Sequence, residues 1–200
     1  KENRTFLILT GLVGTFMGIF VMTSTWDALI YSLFLSLLSL LIIINYPKLL
    51  FRLIASGVFI FIMMLIVSSA WWLNFDSISE GPAIATEHST IWHLVALWTI
   101  HVVLAFIAAL IPHFSTRTLK KVSFVHLFIV NLVISGILLI LLPEVVYFKD
   151  IYTTQPRANT MFKLTYQAFV ILAIAMTLSL GLLQANRKLI SKHLYRFLSI

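Results

Sequence analysis

Twenty consecutive residues, Phe6 to Thr25, carry no charged side chain, and most of the remaining chain divides into runs of similar length. About 20 apolar residues is what a helix needs to cross the hydrocarbon core of a bilayer. No water is available there to satisfy backbone N–H and C=O groups, so such a segment satisfies them internally as an α-helix. Composition agrees: 60% of the 200 residues are hydrophobic, 10% are charged and the mean hydropathy is +1.03. A soluble domain carries roughly 25% charged residues. The sequence therefore predicts an all-α, polytopic transmembrane helix bundle, a multi-pass protein of the cell (plasma) membrane.

The expected spans are 6–25, 28–45, 49–74, 90–111, 122–142 and 160–184, about six in all, within a single transmembrane domain over 1–200. Pro47, Pro112 and Pro143 close the second, fourth and fifth. Ser24 to Asp27 make a tight turn between the first two. In the first span Gly14 and Gly18 form a GxxxG that Gly11 extends, a pattern that lets a neighbouring helix approach closely. Trp71 and Trp72 fall where an interfacial aromatic belt belongs. The chain begins at Lys1 and its first apolar run follows at once; a removed signal peptide is the other explanation, but Phe6 to Thr25 is long enough to span and lacks a small-residue cleavage site. The expectation is thus a piece of a longer polypeptide, whose first partner is the remainder of its own chain. With no cysteine, disulfide staples and thiolate metal sites are excluded.

Charge asymmetry orients the bundle. Eleven of the fourteen Lys and Arg residues lie before the first span, at 46–52, at 113–121 and in the tail 185–200. The alternate loops, 75–89 and 143–159, hold only Lys149 and Arg157, with Lys163 just inside the last span. The positive-inside rule makes both termini and the basic tail cytoplasmic, and puts 75–89 and 143–159 on the outer side. Six of the seven acids, all but Glu2, then lie outside. The net charge of +7 is accordingly a topology signal. It does not indicate nucleic-acid binding, because the bases are spread over separate loops without a recognition module.

Chemistry concentrates in Pro143 to Gln167. If Asn159 caps the last helix, the helix's positive end, its free amides, Arg157 and Lys163 meet at the outer interface, an arrangement suited to phosphate. A guanidinium grips two phosphate oxygens and an ammonium acts as a compact point charge. Asn159, Lys163, Tyr166 and Gln167 share one side of the helix, a stripe expected to face protein or a water-filled cavity. Its competing reading is ordinary snorkelling of cations and interfacial placement of tyrosine. Glu144 and Asp150, the weaker catalytic candidates, carry three readings: general base, ligand of a divalent metal, or ion-pair partner of Lys149 and Arg157. No cofactor is otherwise called for. His93 and His101 in the fourth span stand about 12 Å apart along the axis, too far to share a metal. They are read as a proton relay or, preferably, as neutral hydrogen-bonding histidines. His126 and Asn131 are read as interhelical polar contacts.

Glu144, Tyr147 and Asp150, followed by the box Arg157-Ala158-Asn159-Thr160-Met161-Phe162-Lys163 and Tyr166-Gln167, resemble the signature of the YYY-motif family of large polytopic membrane proteins. Ala158 stands where that pattern carries a bulkier methionine. The family in turn resembles the GT-C class of membrane glycosyltransferases, which draw on polyprenyl-phosphate-linked sugars at the outer face. The resemblance implies membrane lipid and a lipid-phosphate donor as partners, with Arg157, Asn159, Lys163, Tyr166 and Gln167 as the phosphate-binding set. Proteins of that family are several times longer, which implies that this chain is a C-terminal fragment. The resemblance also implies a principal aspartate in a first outer loop, whereas this chain has only Asp27 in a short turn, so the fragment alone is expected to be inactive. A transporter or lipid-handling module, whose polar stripe lines a pathway, and a plain structural bundle are the alternatives.

Overall fold

A computed structural model of the chain describes residues 2–76, 81–115, 123–149 and 154–185, with side chains over 3–76, 81–106, 123–149 and 154–181. Asp150, the basic residues of 116–121 and the tail 186–200 lie outside the described residues. The helices are α1 (Glu2–Thr23), α2 (Thr25–Asn45), α3 (Leu50–Val67), α4 (Ser69–Asn74), α5 (Ile91–Ser115), α6 (Phe124–Val145) and α7 (Ala158–Ala185). A 3-10 turn at Pro47–Leu49 joins α2 to α3, and there are two short strands, β1 (Gly81–Ile84) and β2 (Val146–Lys149). Among the described residues five helices are long and apolar enough to cross a membrane: Asn3–Thr23, Thr25–Asn45, Pro47–Val67, Phe124–Val145 and Ala158–Gly181. The expected span 90–111 falls on α5, which is helical for 25 residues, its side chains described as far as Phe106. The polytopic helix bundle is therefore the fold. The chain divides into two compact units, 1–78 and 79–200.

In the first unit α1 packs against α2 and α3. Ser24 alone separates α1 from α2, and its carbonyl accepts from Asp27 and Ala28. The stretch expected as a turn is thus mostly the first turn of α2, where Asp27 suits the positive helix end. Arg52 lies 4.1 Å from the ring centre of Phe6, near the beginnings of α3 and α1. Further on, a Cβ at Gly14 meets Ile60 and Met63, and one at Gly18 meets Met64 and Val67. The pairs advance together along both chains, so α1 and α3 run parallel and α2 returns between them in sequence. The expected span 49–74 breaks at Ser68, between α3 and α4. There the buried Ser68 hydroxyl donates to the Met64 carbonyl at 2.7 Å and accepts from the Trp72 indole at 3.1 Å. A hydroxyl bonding back to the preceding turn bends a helix in this way.

In the second unit α7 packs against α5 and α6. The core of α6 reads His126, Leu127, Ile129, Asn131, Leu132 and Val133 and continues to Pro143; α7 meets it with Leu164, Ala168, Ile171, Leu172 and Ala175. The closest approach is at Gly136, where an added Cβ would stand 2.6 Å from Leu172 Cγ. Pro143 does not end α6. A proline removes its own N–H bond, but later residues still donate, and Val146 N–H reaches the Leu142 carbonyl. The chain then passes directly into β2, which pairs antiparallel with β1, Gly81 opposite Lys149 and Ile84 opposite Val146. Pro82 lacks a donor on β1, and Phe148 N–H of β2 is taken by the Thr160 hydroxyl at 3.1 Å, so both edges of the ribbon are blunted. This ribbon joins the two segments expected as outer loops.

Gly14→Ala should destabilise the protein by about 1–3 kcal/mol, because the new methyl meets Met63 Cβ at 2.6 Å and the Ile60 carbonyl oxygen at 2.9 Å. Gly57→Ala, with nothing within 4 Å, is the matched control and should leave stability unchanged or slightly raised. Thermal unfolding in detergent micelles, followed by tryptophan fluorescence, compares them. Equal melting temperatures would remove the close contact from the account.

Candidate functional site: a clasp at three helix ends

The segment before α5, the last turn of α6 and the first turn of α7 meet at one end of the second unit, beside the ribbon. Each supplies polar groups at or beside the end of a largely apolar helix. Glu144 is the penultimate residue of α6, held there because α6 runs past Pro143. Arg157 immediately precedes α7, and its carbonyl accepts from Met161 N–H, so it occupies the capping position that the sequence assigned to Asn159. Asn159 is instead the second helical residue. Ser89 comes just ahead of α5.

Glu144 gathers these elements. Its Oε1 accepts from Ser89 Oγ at 2.7 Å and from Arg157 Nη2 at 2.8 Å, and its Oε2 accepts from Ser89 N–H at 2.8 Å. The Glu144 carbonyl lies 2.9 Å from His88 Nδ1, a contact that needs the ring proton on that nitrogen. Arg157 also donates through Nη1 to the Glu87 carbonyl and through Nη2 to Met161 Sδ at 3.2 Å. The side chains of Arg157 and Glu144 are only 10% and 14% exposed. Two opposite charges so enclosed need each other. Removing one leaves the other uncompensated, at a cost of about 3–5 kcal/mol.

Against this clasp lies a cleft of about 250 Å³. Glu87, His88 and Ser89 form one wall, Gln155 and Arg157 the other, and Met161 closes it. Glu144 does not line the cleft; it stands behind Ser89 and Arg157 and fixes both. Among the described residues no group of three or more His, Asp or Glu side chains is placed to hold a metal ion.

The expected phosphate-binding residues separate. Arg157 shares the buried face of α7 with Thr160, Leu164, Ala168 and Ala175. Lys163, six residues on, is turned away from it by about 120°. Asn159, Lys163 and Gln167 are half-buried on the flank of α7, and Tyr166 is 60% exposed and stacks on Phe162 at 6.3 Å between ring centres. Asn159 and Gln167 have interactions of their own. The stripe is real, but it lies away from the buried face, and Arg157 is not part of it. Of the two catalytic candidates, Glu144 is the ion-pair partner of Arg157. On α5, His93 is exposed and His101 sits edge-on to Trp98 and to Phe169 of α7, at 5.9 and 5.2 Å. His126 and Asn131 are buried in the core of α6.

Sequence reasoning passed over Glu87, His88 and Ser89. The available signal was charge complementarity: 75–89 has three carboxylates and no Lys or Arg, whereas 143–159 carries Lys149 and Arg157. Segments so matched are candidates to pair. Residues 104–172 match the model of a family described as an uncharacterized membrane protein family (DUF2298). That stretch includes Glu144, the whole box from Arg157 to Lys163, all of α6 and the first part of α7. No curated protein and no solved structure matches the chain.

The clasp predicts strong coupling. Arg157→Ala and Glu144→Ala should each lower stability by about 3 kcal/mol or more, and the double variant should cost much less than their sum. Lys163→Ala, which breaks no ion pair with a described residue, should change stability by less than about 0.5 kcal/mol. A double-mutant cycle by thermal or denaturant unfolding measures this, and additive losses would show that the pair is not coupled.

Proposed function

We propose that the chain is the membrane-embedded part of a glycosyl-transfer enzyme that takes its sugar from a polyprenyl-phosphate carrier, with the cleft receiving the carrier's phosphate-sugar headgroup. One observation supports this reading above the others: Arg157, held in place by the Glu144 carboxylate, lines a cleft at the end of apolar, membrane-length helices. A lipid-linked donor requires that combination, since its chain stays among apolar helices while its charged head meets donors at the helix ends. In this reading the clasp end faces outward, as the distribution of Lys and Arg favours.

Within the cleft Arg157 supplies the fixed positive charge. Ser89 and Gln155 supply neutral hydrogen-bonding groups, and Met161 an apolar surface. Lys163, lower on a neighbouring face of α7, contributes to the field more than to direct contact, which ranks the two cations. A plain structural bundle would require no ranking in ligand binding.

Arg157→Lys keeps the charge but loses the planar fork, and in the full-length protein at matched expression it should weaken polyprenyl-phosphate-sugar binding roughly ten- to hundredfold. Lys163→Ala should have a smaller effect. Donor binding and sugar transfer from radiolabelled carrier are the measurements. Unchanged binding in Arg157→Lys, or flux of substrate across proteoliposomes without transfer, would sink the proposal.

A further inference from the structure

We infer that the Glu144 carboxylate occupies an anion site built for a phosphate ester, and that such a ligand binds by displacing it. The proposal rests on the preceding reading only for its ligand class; the site itself is read from the geometry. Three donors of different kinds, Ser89 N–H, Ser89 Oγ–H and Arg157 Nη2, converge on the carboxylate at 2.7 to 2.8 Å. A main-chain amide, a hydroxyl and a guanidinium from two separate segments form the donor set that grips phosphate oxygens. Here a side chain of the same protein fills it.

Two features show that the carboxylate is a poor occupant. First, it engages the guanidinium through one tooth. Nε and Nη2 lie on the same edge of the guanidinium and point in parallel, which is why that edge takes bidentate anions. Glu144 uses Nη2, while Nε is buried with no hydrogen-bond partner among the described residues. A buried, unpaired donor on a charged group calls for an explanation, and an absent anion is one. A phosphate monoester has three free oxygens on a tetrahedral phosphorus, enough for two to span Nε and Nη2 and a third to accept from Ser89. Second, the residues that supply the donors, Ser89 and Arg157, line the cleft with Gln155, whereas Glu144 does not.

Glu144 is therefore an internal competitor. While it holds Arg157, the clasp is closed and the guanidinium charge is balanced. When a phosphate takes over the guanidinium and Ser89, the Glu144 side chain has to leave, and α6 loses its ion pair to α7. Binding is thus coupled to loosening of the α6–α7 end through the reciprocity that joins any two occupants of one site. No bond is made or broken in this exchange; one anion replaces another.

The test removes the competitor's charge and keeps its shape. In the full-length protein in lipid nanodiscs, Glu144→Gln should bind inorganic phosphate and a short-chain isoprenyl monophosphate about tenfold or more tightly than the wild type, because the competent state is no longer masked. The matching isoprenyl alcohol should show no gain. Adding Arg157→Lys to Glu144→Gln should abolish it. A gain with both probes assigns the site to the phosphate group alone, and a gain with the isoprenyl phosphate only assigns it to a lipid-held phosphate. Both outcomes uphold the inference. Equal or weaker binding of both probes by Glu144→Gln overturns it and leaves Glu144 as a structural tie. Should that variant not fold, Glu144→Asp, one methylene shorter and unable to hold both partners, takes its place under the same criterion. Sugar transfer is not read here, so failure of the glycosyl-transfer proposal and failure of this one are distinguishable.

Discussion

A carboxylate and a guanidinium, each little more than a tenth exposed, are tied together where three apolar helices begin or end. The rest of the second unit depends on this pair. Its helices have few polar groups with which to fix their relative heights, because apolar side chains slide past one another at little cost in specificity. Glu144 on α6, Arg157 at the start of α7 and Ser89 before α5 set that height with directional bonds. The β1–β2 ribbon adds a second tie at the same end, continued by the bond from Phe148 N–H to the Thr160 hydroxyl. Farther along α6 and α7 the fit is steric, with Gly136 receiving Leu172.

The first unit solves the same problem without charge. Gly14 and Gly18 let α1 lie against the backbone of α3, and close approach gains dispersion contacts that lipid would not supply as well. The two glycines face backbone atoms, so the contact tolerates little change in register. Gly11, by contrast, would leave an added methyl at an ordinary 3.6 Å from Phe59. The tight contact therefore belongs to the GxxxG pair and not to the longer small-residue side.

Hydropathy made the helices legible because burial in lipid is a property of each segment taken alone. The same is true of the glycine pair, whose spacing is local. What the sequence concealed was the partner of each polar group. Glu144 bonds Ser89, 55 residues earlier, and nothing in the neighbourhood of either residue encodes that meeting. The β-ribbon was hidden for the same reason: four residues such as Gly81–Ile84 form a strand only because Val146–Lys149 arrives alongside. Proline misled in the opposite sense. Pro143 reads as a stop, yet it costs only its own hydrogen bond, and the two helical residues beyond it are what bring Glu144 into the clasp.

The polar stripe on α7 shows where local periodicity stops being informative. The 3.6-residue repeat places Asn159, Lys163, Tyr166 and Gln167 on one side whatever surrounds the helix, but which side packs is decided by size and apolarity elsewhere. Leu164, Ala168, Ile171, Leu172 and Ala175 form the surface that packs, and Arg157 and Thr160 continue it to the helix start. A buried arginine at the end of an apolar face is a stronger pointer than an exposed stripe. Its desolvation has to be offset by specific partners, so its position records a constraint that a half-buried lysine does not. That constraint is met here by one internal carboxylate, one carbonyl, a serine hydroxyl and a sulfur, leaving Nε over. A guanidinium buried with one donor unused is held by fewer bonds than it can make, and the inferred phosphate would engage the remaining one.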